Sequence, residues 1–373
     1  MNHKEFKTFR ELREEVVLKG LCGKCGGCVS FCSAGELHAL EMGEDDVPRY
    51  ADEKRCLYCG ICYMICPVTK DLDAELQDNF GWQAPIGRWE TISSARATDK
   101  AIRAVATDGG VVTALLCYML ENRLIDGAIV SRKTAAFARE PMIAITREEL
   151  IAAAGSHFGG AAHLEELATK YTTYSPTISA VKGLESRDFQ RVAMVGAPCQ
   201  IMSIRKMQCL GILPAHIISH TIGLFCMENL VFDLSGRQTL EDKLRIDLAD
   251  IDKLNIKEDV IISLNDGTTI HLPFEEADEL ARPACLACTD FANDYADLSA
   301  GGLGSPTGYT TMVVRSEKGS RVYTEALRHG YIEERAFSDY AELRSERTKM
   351  MAKVVAFAQR KRARGEARLS KLT

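Results

Sequence analysis

CGKCGGCVSFC at residues 22–32 and CLYCGICYMICP at residues 56–67 decide the first part of the fold. Each run sets three cysteines at two-residue gaps and a fourth three residues on: Cys22, Cys25, Cys28 and Cys32, then Cys56, Cys59, Cys62 and Cys66. Three thiolates so spaced wrap one 4Fe–4S cubane and aim the intervening amides at its sulfides. The fourth faces a second cubane. The spacing therefore assigns Cys22, Cys25, Cys28 and Cys66 to one cluster, and Cys56, Cys59, Cys62 and Cys32 to another. A zinc site takes four ligands, usually as two separated Cys-x-x-Cys pairs. It leaves the third and fourth cysteines of each run unexplained.

This is the spacing of bacterial ferredoxins. Pro67 follows the second run as that pattern asks, whereas Ser33 follows the first. The exchange weakens a turn preference and removes no ligand.

The rest of the composition agrees with a reduced, metal-using protein. The chain has 373 residues, 46% of them apolar, which predicts two or three domains with real interiors. A net charge of −6 gives no basis for nucleic-acid binding. The N-terminal segment is charged and lacks the apolar core of a signal peptide. No apolar run has the length of a bilayer span. These features predict a soluble, cytoplasmic chain, where 14 cysteines mean metal or redox chemistry more than disulfides.

Beyond the cysteine runs, the texture becomes that of an α/β protein. The expected fold class is α/β in the wider α+β sense: a small bacterial-ferredoxin-like module, then a larger domain built on a mixed sheet. The expected divisions are residues 1–75 for the module, 76–92 for a linker with Trp82, Pro85 and Trp89, 93–337 for the large domain, and 338–373 for a basic helical tail. A helix follows Gly109 and Gly110. Strands are predicted at 127–132, 142–146, 191–198 and 216–226, and a capping box at Thr146 and Glu149 opens a helix. Residues 241–258 read as partly helical. Asn265-Asp266-Gly267 splits two strand-like runs into a hairpin.

Four later cysteines carry a second pattern. Cys199 and Cys226 close two predicted strands, and parallel strands end on one side of a sheet, where ligands gather. Cys285 and Cys288 form a metal-type pair. These four converge on a third 4Fe–4S cluster, or else Cys199 and Cys226 are small buried hydrophobes. Cys117 lies among Leu115, Leu116 and Met119 and reads as core; Cys209 has no partner pattern.

The strings SARATDKAIRAVATDGGVVTALLCYMLENRLIDGAIV (94–130), VAMVGAPCQIMSIRK (192–206), TIGLFCMENL (221–230) and CLACTDFANDYADLSAGGLGSPTGYTTMVVRSEKG (285–319) resemble, in order, the motifs of the coenzyme F420 hydrogenase/dehydrogenase beta-subunit family. With its ferredoxin-like module the chain resembles the input subunit of F420H2 dehydrogenases more than the shorter hydrogenase subunit.

The resemblance implies a flavoprotein holding FAD and the third 4Fe–4S cluster, and exchanging a hydride with the 5-deazaflavin coenzyme F420. It implies partner redox subunits too, in a complex of hydrogenase, heterodisulfide reductase or membrane F420H2 dehydrogenase type. In the last of these the cytoplasmic chain sits peripherally on the membrane part.

No Gly-x-Gly-x-x-Gly fingerprint follows a strand, so a Rossmann FAD site is not indicated. The flavin elements expected instead are Gly109 and Gly110 at a helix start, the Thr169-Lys170-Tyr171 element, Asn255 and Lys257, and the loop of Gly301, Gly302, Gly304 and Ser305. Three other readings stay open: a ferredoxin-dependent flavin reductase of another substrate, a flavin-free electron-transfer adaptor, and a zinc-binding module. The basic tail reads either as a dock for an acidic partner or as a solvated helix end.

Overall fold

Residues 6–34, 36–43, 45, 47–135, 138–155, 189–230 and 234–371 are described by a computed structural model of the chain. The strands among them are β1 (Leu40–Met42), β2 (Pro48–Tyr50), β3 (Thr91–Ala97), β4 (Gly127–Ala135), β5 (Ala138–Ala144), β6 (Val192–Gly196), β7 (Ile218–Leu224), β8 (Ile251–Ile256), β9 (Val260–Leu264), β10 (Thr269–Leu272), β11 (Leu298–Gly301), β12 (Thr310–Val314) and β13 (Ile332–Glu334).

Eight of them form one mixed sheet in the order β13-β3-β12-β11-β7-β6-β4-β5. Its centre is parallel: β4 pairs β6, β6 pairs β7, and β7 pairs β11. The outer pairs are antiparallel. Parallel strands are covered on both faces, which accounts for the continuous apolar run at 192–195 in β6. The helices Val111–Glu121 and Glu317–Arg328 cover one face, and Pro198–Cys209 covers the other. A separate three-stranded sheet, β10-β9-β8, packs with the C-terminal helix around Leu254, Ile262 and Phe274.

Two buried arginines hold this frame. Arg205 pairs with Asp297 at 3.0 Å and donates to Tyr295 O and Thr221 Oγ1 at 3.0 and 2.8 Å. Arg315 donates to Ser299 Oγ on β11, to the carbonyls of Ile86 and Arg88, and to that of Ala292. It thereby pins the segment after the ferredoxin-like module to the sheet.

The N-terminal module contains the helices Gly27–Ala34 and Ile61–Met64 and the antiparallel pair β1–β2. Its core of Phe9, Leu12, Val16, Leu21 and Tyr63 also takes in Ala287 and Leu369 from far along the chain. Ile65 and Leu76 pack in the opposite direction, into the large domain's core. The fully buried Lys206 ties the two parts further. It donates to the carbonyls of Cys66 and Thr69 at 3.0 and 2.7 Å, and pairs with Asp73 at 2.9 Å.

Several elements differ from the sequence expectation. The N-terminal segment, whose pattern over residues 1–20 predicts a short amphipathic helix, is among the described residues a short α-turn at Phe9–Leu12 running into a π-turn at Arg13–Val17. Cys199 sits in the first turn of Pro198–Cys209, not at a strand end. The charged stretch 241–258 is partly helical as expected, with the end of the helix Leu234–Leu244 and a 3-10 turn at Leu248–Asp250, but β8 then follows unforeseen, because Ile251 and Leu254 bury in the small sheet. The strands β1, β2, β3 and β13 and the helix Glu317–Arg328 have no counterpart in the sequence reading.

The basic C-terminal stretch ends in exposed residues at Glu366–Arg368, but its earlier part is anchored to the fold. Tyr340–Leu369 is one 30-residue helix whose Met350, Val354, Ala358, Lys361 and Gly365 are buried. Its charge density hides an interior stripe at spacings of four and three residues.

Asp297→Ala leaves Arg205 buried without its carboxylate. It is expected to cost about 3–5 kcal/mol, read as a lower denaturant midpoint than that of the unaltered chain.

Candidate functional site

A cavity of about 450 Å³ opens beyond the carboxyl ends of the parallel strands, a size suited to a cofactor. Its wall includes Gly196 and Ala197 after β6, Phe225 and Cys226 after β7, and Gly301 and Gly302 after β11. The segment leading into Val111–Glu121 faces it through Asp108 and Gly110, and the end of β8 faces it through Asn255 and the adjoining Lys257. Gly110 caps that helix with φ +75°, a left-handed conformation that suits glycine.

Asp108 organises one side of this cavity. Its Oδ1 accepts from Asn255 Nδ2 at 2.9 Å and lies 3.8 Å from Lys257 Nζ. Burial raises its carboxyl above the usual range, while Asn255, Lys257 and Lys253 pull the other way. Gly302 makes room for it: a Cβ there would stand 2.7 Å from Asp108 Oδ1. On the opposite side Glu228 is buried with Oε1 unpartnered, while its Oε2 accepts from Arg364 at 2.7 Å.

Of the residues expected at the flavin, Gly110, Asn255, Lys257, Gly301 and Gly302 line this one cavity. Gly109, Gly304 and Ser305 stand behind its wall. Gly109 lets the helix start approach β3 and β12, with its N–H donating to Thr310 Oγ1. Gly304 packs on Met350 of the C-terminal helix. Ser305 joins Ser94 and Thr311 in a hydroxyl chain, and its carbonyl accepts from Lys257 Nζ at 3.5 Å. Thr169, Lys170 and Tyr171 lie outside the described residues. The sequence reading passes over Asp108 and Glu228, although Asp108 adjoins Gly109 and Glu228 lies two residues past Cys226.

The clustered cysteines gather into three neighbouring sets. No group of three or more His, Cys, Asp or Glu among the described residues is drawn tightly enough for a single metal ion. The sets show instead in which thiols feel one another's charge. Cys22, Cys25, Cys28 and Cys66 form one. Cys62 feels Cys59, Cys56 and Cys32. Cys226 feels Cys285, Cys288 and Cys199. Burial pushes the Cys22 thiol up to about 11, that of Cys62 up to about 12, and that of Cys226 up as well.

Donors and cations oppose that burial. The backbone N–H groups of Val68 and Thr69 favour the Cys66 thiolate, and Lys206 acts with them. The Asn229 N–H donates to Cys285 Sγ at 3.4 Å, and its side-chain amide lies 3.8 Å from Cys226 Sγ. The Arg282 guanidinium favours both Cys22 and Cys285 as thiolates.

The sets run on from one another. Cys226 both lines the cavity and belongs to the third set. Cys199 of that set feels Cys25 of the first, and a Cβ at Gly23 would stand 4.0 Å from Cys199 Sγ. Cys28 of the first set feels Cys62 of the second. Cys117 is fully buried in the helix Val111–Glu121, with its thiol pushed up to about 11 by burial. Cys209 accepts from Asn79 Nδ2 at 3.5 Å.

A mixed α/β sheet with a cavity at its carboxyl edge and thiol sets running away from it is the architecture of a redox subunit. The family model for the N-terminal part of the coenzyme F420 hydrogenase/dehydrogenase beta subunit matches residues 92–182, and the model for its C-terminal part matches residues 189–340. The chain belongs to this family.

The coenzyme F420 hydrogenase subunit beta of Methanothermobacter thermautotrophicus is 34% identical over 66% of this chain and 85% of its own length. The F polypeptide of the F(420)H(2) dehydrogenase of Methanosarcina mazei is 25% identical, over 83% of each chain. Among solved structures, a chain of the F420-reducing [NiFe] hydrogenase complex from Methanosarcina barkeri matches with a TM-score of 0.64 and 28% identity. The match covers 78% of this chain and 94% of that one. The hydrogenase relative is thus nearer in identity, and the dehydrogenase relative aligns over more of this chain.

Gly302→Val would drive a side chain into Asp108. It is expected to cost about 1–3 kcal/mol through overpacking, read as a lower denaturant midpoint than that of the unaltered chain.

Proposed function

We propose that this chain is an iron–sulfur flavoprotein subunit. In this reading it exchanges a hydride between coenzyme F420 and FAD, and passes single electrons through three 4Fe–4S clusters to or from partner subunits. The observation that carries it is the continuity of the site: Cys226 belongs at once to the wall of the cofactor-sized cavity and to the third thiol set, which itself abuts the first.

The residues suit the groups. Each cubane takes four thiolates, and each set offers four. The first set would be Cys22, Cys25, Cys28 and Cys66; the second Cys32, Cys56, Cys59 and Cys62; the third Cys199, Cys226, Cys285 and Cys288. FAD, when bound, supplies two-electron exchange with a hydride donor and one-electron exchange with clusters. Lys257 and the first-turn amides beyond Gly110 offer positive potential to its phosphates or carbonyls. Gly301 and Gly302 permit close approach of the backbone to a ring. Phe225 and Phe291 in the wall exclude water from the side nearest Cys226. Asn229 directs an amide at Cys226 and another at Cys285, donors that tune a cluster's potential.

The domains follow from this assignment: a two-cluster module at 1–75, a linker at 76–92, the flavin and third-cluster domain at 93–337, and a C-terminal helical segment at 338–373. The family relatives are named as parts of hydrogenases and dehydrogenases, which supports partner redox subunits for this chain. No described helix is long and apolar enough to cross a membrane. Attachment to a membrane complex would therefore run through a partner.

The test is anaerobic. The chain, loaded with FAD, is mixed with reduced F420 and a one-electron acceptor, and the deazaflavin absorbance is followed. Oxidation of F420 is expected. A Cys226→Ala/Cys285→Ala double variant should still bleach its flavin with reduced F420 but pass electrons to the acceptor severalfold more slowly. No change in deazaflavin absorbance with the FAD-loaded chain would contradict the reading and favour another substrate. Iron and sulfide without extractable FAD would favour the flavin-free adaptor.

A further inference from the structure

The helix Tyr340–Leu369 begins where the family match ends, at residue 340, yet it forms part of the third thiol set's surroundings. Its buried stripe runs Met350, Val354, Ala358, Lys361, Gly365. Four of these are apolar or small, as a core-facing stripe should be. The fourth in order is a lysine, 1% exposed.

Lys361 differs from the fully buried Lys206. Lys206 spends its three N–H donors on two carbonyls and the Asp73 carboxylate. Lys361 Nζ has a single acceptor among the described residues, the carbonyl of Cys226. Its ammonium is held instead at the backbone of Cys226, a member of the third set, one turn from the place where the helix packs on the carbonyls of Ala287 and Cys288.

The neighbouring Arg364 is no substitute, because Glu228 and Asp278 neutralise it at 2.7 and 2.9 Å. The helix is also held tightly at this point. A Cβ on Gly365 would stand 2.7 Å from Cys288 O and 3.0 Å from Ala287 O. Lys361 cannot swing out to water without unseating the helix from the Cys285–Cys288 loop.

A buried cation with unspent donors implies an anionic neighbour. We propose that Lys361 is a buried counter-charge of the third cluster, a positioning residue that raises that cluster's reduction potential. The inference rests on the assignment of a cluster to Cys199, Cys226, Cys285 and Cys288. A cubane held by four thiolates is an anion in both redox states and gains one negative charge on reduction. A fixed ammonium beside it therefore stabilises the reduced form more, and net charge and hydrogen bonding are among the factors that set such potentials. The side-chain contact of Lys361 is with Cys226 of the third set, so the proposal concerns one of the three potentials.

Lys361→Met and Lys361→Arg test this in the full chain, purified without oxygen. Iron and sulfide are counted first, and the clusters are then titrated potentiometrically with detection by electron paramagnetic resonance. Lys361→Met is expected to keep its iron and to lower one midpoint potential by roughly a tenfold change in equilibrium constant, about 59 mV for one electron. The other two midpoints should stay, and Lys361→Arg should return the shifted one toward wild type.

Loss of one cluster's iron in Lys361→Met but not in Lys361→Arg would also support a charge requirement. Unchanged midpoints in a fully loaded Lys361→Met would overturn the proposal. So would equal effects of both substitutions, which would make the position one of packing. A wild-type chain with about eight irons would remove the third cluster itself. That failure of the underlying assignment would be visible before any variant is titrated.

Discussion

A thiolate carried into a protein interior needs a donor or a cation beside it, and the three cysteine sets of this chain are arranged around that need. Burial first, and neighbouring thiols after it, push Cys22, Cys62 and Cys226 far above neutrality. The positive groups that oppose it come from distant parts of the sequence: Lys206 beside Cys66, Arg282 between Cys22 and Cys285, and Lys361 beside Cys226 and Cys288. Each of these cations also ties two parts of the fold together. Lys206 joins the large domain to the N-terminal module, Arg282 donates to Gly23 O, and Lys361 anchors the C-terminal helix to the Cys226 carbonyl. Packing and electrostatics are therefore set by the same side chains.

The division of labour between sheet and helices follows. The parallel centre of the sheet ends at one edge, and that edge carries the cavity. The helix Pro198–Cys209 starts there with Cys199 and runs back with Arg205 and Lys206, so one element contributes to a thiol set, to the buried Asp297 pair and to the N-terminal module. This accounts for the buried polar residues along a helix whose position would otherwise call for apolar ones.

What can be read from sequence tracks how local the signal is. The grouping of the paired cysteine runs is legible because each thiol set is drawn mostly from eleven residues. The hairpin at Asn265–Gly267 and the cap at Thr146 are legible for the same reason, and both are present. The third set is assembled from three separate segments, so spacing alone leaves it open and only the family resemblance points to it.

Asp108 and Glu228 are silent in the sequence because an acidic residue gains meaning only from what buries it. Lys361 is concealed in a stretch whose charge suggests solvent, although the four-residue steps from Met350 to Ala358 mark the interior stripe that contains it. Edge strands such as β13 are short and have weak patterns. The glycine-rich loop is half legible: Gly301 and Gly302 face the cavity, while Gly304 and Ser305 support it from behind.

Whether one chain aligns a flavin and three clusters is tested most directly by iron, acid-labile sulfide and flavin counted on the same anaerobic sample. About twelve irons, matching sulfide and one FAD per chain are expected. Eight irons or fewer, or full iron with no flavin after reconstitution, would contradict it.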